Sequence, residues 1–116
     1  MHELPVIESI LKVALKHAQK NDVQKITAIY LQVGELSDLQ DEWMQRYFDY
    51  LSKDSIAEGA QLKIDRVPVV MQCEDCAISF QVDIKKIDEI VCPECNGKNN
   101  KLISGRGYFI KNMEVI

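Results

Sequence analysis

Four cysteines constrain this chain more than any other feature. They form two CxxC pairs, Cys73-Glu74-Asp75-Cys76 and Cys92-Pro93-Glu94-Cys95, with fifteen residues between the pairs. In a reducing compartment such thiols do not build a disulfide framework. A thioredoxin-type redox site uses one CxxC at a strand-to-helix turn and leaves the second pair without a role. Two pairs at this separation match a zinc ribbon, in which each pair turns both sulfurs toward one ion and two facing turns complete a tetrahedron of thiolates. Iron is the other ion such a set accepts, and zinc is the commoner occupant. Asn96-Gly97 supplies residues that tolerate the left-handed backbone such a turn needs. The first pair is followed by Ala77, which suits that turn less well. With Cys73, Cys76, Cys92 and Cys95 all ligating, no position remains for substrate or activated water, so the reading is a structural zinc. The stretch 72–104 is too short to build a core alone, and the metal has to hold it.

The rest of the chain has the composition of a globular protein. Of 116 residues, 47% are hydrophobic and 28% charged, which excludes a disordered tail. No apolar run approaches the roughly 18 to 20 residues a bilayer span needs. The start, MHELPVIESILKVALKHAQK, interrupts its apolar positions with charge and lacks the unbroken core of a secretory signal, so the expected location is the cytoplasm. The net charge of −4 argues against a nucleic-acid partner. Between Asp38 and Glu58 six acids face only Arg46 and Lys53. That cluster reads as a solvated helix face, with a docking surface for a basic partner as the sharper alternative.

Hydrophobic periodicity predicts a helix from Pro5 to Lys20, with Leu4, Ile7, Leu11, Ala14 and Ala18 on one face. Ile26 to Val33 is β-branched and short, a strand ended by Gly34. Ser37 with Gln40 has a capping-box spacing and predicts a second helix to about Ala57, with Met44, Tyr47, Phe48 and Leu51 inward. Leu62 to Met71 reads as one strand, pushed toward an edge or bulge by Pro68. Tyr108 to Val115 is the last strand, entered through Gly105 and Gly107. The expected fold class is α+β: a two-layer α/β arrangement of a three-stranded sheet with two helices on it, plus an inserted four-cysteine zinc-ribbon lobe. The expected domains are residues 1–71 with 105–116, and residues 72–104 as the ribbon. Both ends of the ribbon are expected near one edge of the sheet.

The N-terminus offers a second chemistry. His2 places an imidazole within two residues of a free amine and a main-chain amide, and together these can chelate one divalent ion. Planar nitrogen ligation of this kind suits Ni(II) or Cu(II). Taken alone, a frayed terminus without function is the plainer account.

MHE at the start, VGELSDLQDE, EGAQLKID, the two CxxC pairs and GRGYFIKNMEV together resemble the HypA family of nickel metallochaperones used in maturing [NiFe]-hydrogenase. The resemblance covers essentially the whole chain. It implies transferable Ni(II) held at the N-terminus, with the His2 imidazole as the indispensable ligand and the Met1 amine and the main-chain nitrogens of His2 and Glu3 as companions. It also implies structural Zn(II) on Cys73, Cys76, Cys92 and Cys95. The implied partners are the nickel-handling GTPase HypB and the hydrogenase large subunit, with urease maturation proteins sharing the route in some organisms. The family's first knuckle often carries Gly where this chain has Ala77. An amine of ordinary pKa near 7.7–8.0 and an imidazole near 6.5 predict nickel affinity that weakens as pH falls through neutrality.

Other candidates are weaker. His17 lies at the margin of the first helix's apolar stripe and reads as solvated. Trp43, Tyr47 and Tyr50 read as core or rim rather than a cofactor site. Glu35 has no catalytic partner at fitting spacing. With no phosphate loop, nucleophile elbow or open metal site, an enzyme is the poorest reading. A zinc-ribbon adaptor without a second metal is the runner-up to the nickel carrier.

Overall fold

The computed structural model describes residues 3–37, 39–83 and 90–116. Helix α1 spans Glu3–Lys20 and buries Val6, Ile7, Ile10, Leu11, Ala14 and Ala18. The stripe is therefore the predicted one, widened by Val6 and Ile10, while Leu4 lies 38% exposed at its edge. Asp22, with φ 51°, ends the helix, and the N–H groups of Asn21 and Val23 return to the Ala18 carbonyl. Strand β1, Ile26–Gly34, is buried on both faces for most of its length. It is the middle strand of a three-stranded sheet in the order β2-β1-β6, where β2 is Gln61–Val67 and β6 is Tyr108–Val115. Each fully buried Ile or Leu contributes about 1.5–3 kcal/mol. Ile7, Ile10, Ile26, Ile29, Leu31 and Phe48 supply the bulk of this core.

The second helix is shorter than its sequence suggests. Helix α2 runs Asp41–Leu51, and Gln40 occupies the N-cap without a side-chain capping bond. The expected capping box does not form: the helix starts with Gln40 rather than Ser37 at its N-cap, and the Ser37 hydroxyl donates to the Gly34 carbonyl at 2.8 Å. Beyond Leu51 the chain turns rather than continuing to Ala57. Ser55 takes over the backbone groups, its hydroxyl donating to the Ser52 carbonyl and accepting from the Ala57 N–H, and Asp54 is left-handed at φ 64°. Such local side-chain bonds offer the backbone an alternative to the helix. Gln45 ties α2 to the start of β2: its Oε1 accepts the Leu62 N–H at 2.8 Å.

The single strand expected over 62–71 is two. Pro68 has no N–H for a ladder, and the chain passes there from β2 into β3, Val69–Cys73, which belongs to a second three-stranded sheet ordered β4-β3-β5. Strand β4 is Ser79–Val82 and β5 is Asn100–Ser104, both antiparallel to β3, with Cys73 opposite Asn100. The connection carrying the cysteines leaves β2 and returns in β6. These strands flank β1 on opposite sides, and the two ends of the connection meet, the Ser104 hydroxyl donating to the Pro68 carbonyl at 3.0 Å.

The chain forms two compact units, Met1–Gln32 with Asp38–Asp65 and Phe109–Ile116, and Val33–Ser37 with Arg66–Tyr108. In the second unit Gly34 crosses Gly105: a Cβ on Gly34 would run into the Gly105 carbonyl and lie 2.7 Å from the Arg106 nitrogen.

Candidate metal centre

Each CxxC folds into the same turn. In the first, the Ala77 N–H donates to the Cys73 carbonyl and the Cys73 N–H to the Ile78 carbonyl, both at 2.9 Å. In the second, the Asn96 N–H donates to the Cys92 carbonyl and the Cys92 N–H to the Gly97 carbonyl, again at 2.9 Å. Closing these turns requires a left-handed residue directly after the second cysteine, and Ala77 (φ 65°) and Asn96 (φ 57°) occupy that place. Gly97 is needed for closeness instead. A Cβ there would lie 2.8 Å from Asp75 Oδ2 and 3.2 Å from Cys95 Sγ.

The turns bring all four sulfurs within 4.8 Å of one another. Cys73 and Cys95 are 3.5 Å apart, as are Cys76 and Cys92. These separations are far beyond a bonded disulfide. A tetrahedral ion with metal–sulfur bonds of about 2.3 Å needs sulfurs about 3.8 Å apart, and the cluster brackets that edge. Cys73 and Cys92 are buried and Cys76 and Cys95 exposed, so one residue of each pair is anchored in the fold and the other lies at the surface while all four sulfurs converge.

Backbone N–H groups converge on the sulfurs and stabilise negative charge. Those of Cys95 and Glu94 bring the Cys92 thiol down to about 7, against its burial. The Gly97 N–H acts the same way on Cys95, but the Cys73 thiol, burial and the remaining thiols push it up to about 12. At Cys76 the Ile78 N–H lowers the thiol, and the neighbouring Cys92 with burial raises it further than that. Thiols this close cannot all ionise unaided, and a divalent cation is what relieves them. The residues present fit a soft, four-coordinate ion.

One contact ties the turns together: the Glu74 N–H donates to the Asn99 carbonyl at 2.8 Å. Within the second turn's own segment, Asn100 Nδ2 donates to the Gly97 carbonyl at 3.3 Å. Asn100 was invisible in the sequence because its place opposite Cys73 depends on strand pairing that the spacing of the cysteines does not encode.

Met1 and His2, the expected nickel ligands, lie outside the described residues. Glu3 opens α1, and its Oε1 accepts the Gln40 N–H at 3.3 Å. His17 is exposed on α1, where its carbonyl accepts from Asn21 Nδ2 at 2.8 Å. Trp43 and Tyr47 pack with ring centroids 6.0 Å apart, and Arg46 lies over the Trp43 ring at 5.1 Å. The Glu35 N–H donates to the Val67 carbonyl at 3.0 Å. Among the described residues no helix is long and apolar enough to cross a membrane.

Comparison with known proteins points one way. The family model for hydrogenase/urease nickel incorporation, metallochaperone, hypA, matches residues 1–115. The hydrogenase maturation factor HypA of Dehalococcoides mccartyi is 35% identical over 115 residues, covering 99% of this chain and 94% of that protein. The HypA of Methanothermobacter thermautotrophicus is 31% identical over 119 residues, covering 99% and 97%. The solution structure of the Ni metallochaperone HypA from Helicobacter pylori is 26% identical with a TM-score of 0.69, and the match covers 100% of this chain and 98% of that one. A second HypA solution structure gives a TM-score of 0.77 at 27% identity, covering 100% and 97%.

Proposed function

Because this chain belongs to the HypA family of hydrogenase and urease nickel-incorporation proteins, we propose that it carries Ni(II) at its own N-terminus and hands it over during maturation of [NiFe]-hydrogenase. The observation that carries this reading is the family match over residues 1–115, which includes the start MHE. The Met1 amine, the His2 imidazole and the main-chain nitrogens of His2 and Glu3 are the proposed nickel ligands. Nickel is cargo, and a chain end suits cargo because no buried cage has to open before a partner takes the ion.

Cys73, Cys76, Cys92 and Cys95 hold Zn(II), with all four positions filled by protein, so the zinc is structural. The nickel site then belongs to the unit built on α1 and the first sheet, and zinc to the other. Acceptance by a GTPase of the HypB kind and by the hydrogenase large subunit, in the cytoplasm, completes the reading, with urease maturation as a second destination. The chain transfers a metal and catalyses no bond change.

The test is His2→Ala, together with a second variant carrying two extra residues before Met1. Nickel and zinc per chain are measured by elemental analysis and the fold by circular dichroism. Loss of nickel with zinc and fold retained supports the carrier. Unchanged nickel binding overturns it in favour of a zinc-ribbon adaptor.

A further inference from the structure

Asn96 is the one asparagine of this chain that is followed by glycine. Without a Cβ, Gly97 leaves its amide nitrogen sterically open to the neighbouring carboxamide. Asn96 itself is exposed, so water reaches it and ammonia can leave. These are the requirements for deamidation, yet the turn that holds the pair opposes it.

Four restraints act on the Asn96–Gly97 peptide. The Asn96 N–H is bonded to the Cys92 carbonyl at 2.9 Å. The Gly97 N–H is given to the Cys95 sulfur. The Gly97 carbonyl accepts from the Cys92 N–H at 2.9 Å and from Asn100 Nδ2 at 3.3 Å. Gly97 is also pressed against the first knuckle, where a Cβ would stand 2.8 Å from Asp75 Oδ2 and 3.5 Å from Cys73 Sγ. Ring closure requires the Gly97 nitrogen to shed its hydrogen and turn toward Asn96 Cγ. That rotation pulls the peptide off the Cys95 sulfur and parts the two knuckles.

We propose that Asn96–Gly97 is a modification site gated by the metal: closed while the cysteines grip zinc, and converted irreversibly once the knuckle opens. This rests on the zinc reading above. The Gly97 nitrogen bonds to Asn96 Cγ, and the side-chain nitrogen departs as ammonia with the transferred hydrogen, leaving a succinimide. Water then opens the ring. Cleavage of the new N–Cγ bond leaves an ordinary aspartate in place of the asparagine, and cleavage of the original peptide bond gives an isoaspartyl linkage. The net change is addition of one water and loss of one ammonia, with no oxidant or reductant.

The isoaspartyl product runs the main chain through an additional methylene directly before Gly97. Neither the Gly97 N–H to Cys95 Sγ nor the Cys92 N–H to the Gly97 carbonyl can then reform in register. A chain that stays empty therefore loses the capacity to reload. A ligand that binds only the closed state suppresses opening in proportion to its concentration over Kd, so free zinc at 100 Kd slows the reaction roughly 100-fold.

The experiment incubates zinc-loaded and chelator-stripped protein side by side at neutral pH after elemental analysis of each. Intact mass, peptide mapping and an isoaspartyl methyl-acceptor assay are followed over time. The stripped chain should gain about 1 Da at residue 96, roughly 100-fold faster than a chain kept loaded by free zinc at 100 Kd, and its isoaspartyl fraction should then fail to rebind zinc. Asn96→Gly, which keeps a residue at ease with positive φ, should rebind zinc fully after the same stripped interval. Equal rates in both forms, no conversion in the stripped chain, or full zinc recovery by the converted chain overturns the proposal. A chain that holds no zinc at the first elemental analysis overturns the zinc reading itself, and the gate with it.

Discussion

Ala77 and Asn96 are structural equivalents: each follows the second cysteine of its pair, each has positive φ (65° and 57°), and each returns its N–H to the first cysteine's carbonyl at 2.9 Å. Asparagine tolerates that backbone and alanine does not, so the first knuckle holds strain of order 1 kcal/mol. Ala77→Gly should stabilise the second unit by about 0.5–1 kcal/mol, while Asn96→Gly should change it little. Chelator competition and urea midpoints of the zinc-loaded protein would register the difference, and an Ala77→Gly variant no tighter than the parent would count against strain there.

Stripping the metal should act selectively. Zinc sites of this type contribute on the order of 10–16 kcal/mol in model fingers, far more than strands as short as β3, β4 and β5 can supply. Hydrogen exchange after chelation is expected to lose protection across Val69–Cys73, Ser79–Val82 and Asn100–Ser104. Protection in α1 and β1, whose core is made of Ile and Leu, should persist.

Ser52, at the C-cap of α2, is fully buried, and its hydroxyl has no hydrogen-bond partner among the described residues. Its N–H and carbonyl are already used, bonding Phe48 and Ser55. Removing an unsatisfied buried hydroxyl relieves desolvation, so Ser52→Ala should raise stability by about 1 kcal/mol. Thermal unfolding with the metal held constant measures this.

Gly34→Ala should do the reverse. The new methyl meets the Gly105 carbonyl and the Arg106 nitrogen, which are backbone and cannot rotate away as a side chain would. A loss of about 3 kcal/mol is expected, read as a lower urea midpoint at unchanged metal content. Gly59→Ala is the control for left-handed strain without crowding, because no described residue lies within 4 Å of its would-be Cβ at φ 80°.

Much of this molecule is legible in its order of residues alone. The pairs Cys73/Cys76 and Cys92/Cys95 announce their shared centre because ligand geometry is local: two residues between cysteines set the turn, and the sulfurs gather within 4.8 Å. Helix α1 and strand β1 were equally plain, since burial imposes its period directly on the chain. Where local and distant partners compete, the order of residues is silent. Ser37 and Gln40 have capping-box spacing, but the Ser37 hydroxyl bonds Gly34 instead. Residues 62–71 read as one strand until Pro68 is seen passing the chain between two sheets. Asn100 acquires its place beside the cysteines only through its pairing with Cys73, far away along the chain. Short-range stereochemistry and metal chemistry are written in neighbouring residues, whereas register, strand order and competition for hydrogen bonds are decided by groups that meet only once the chain has folded.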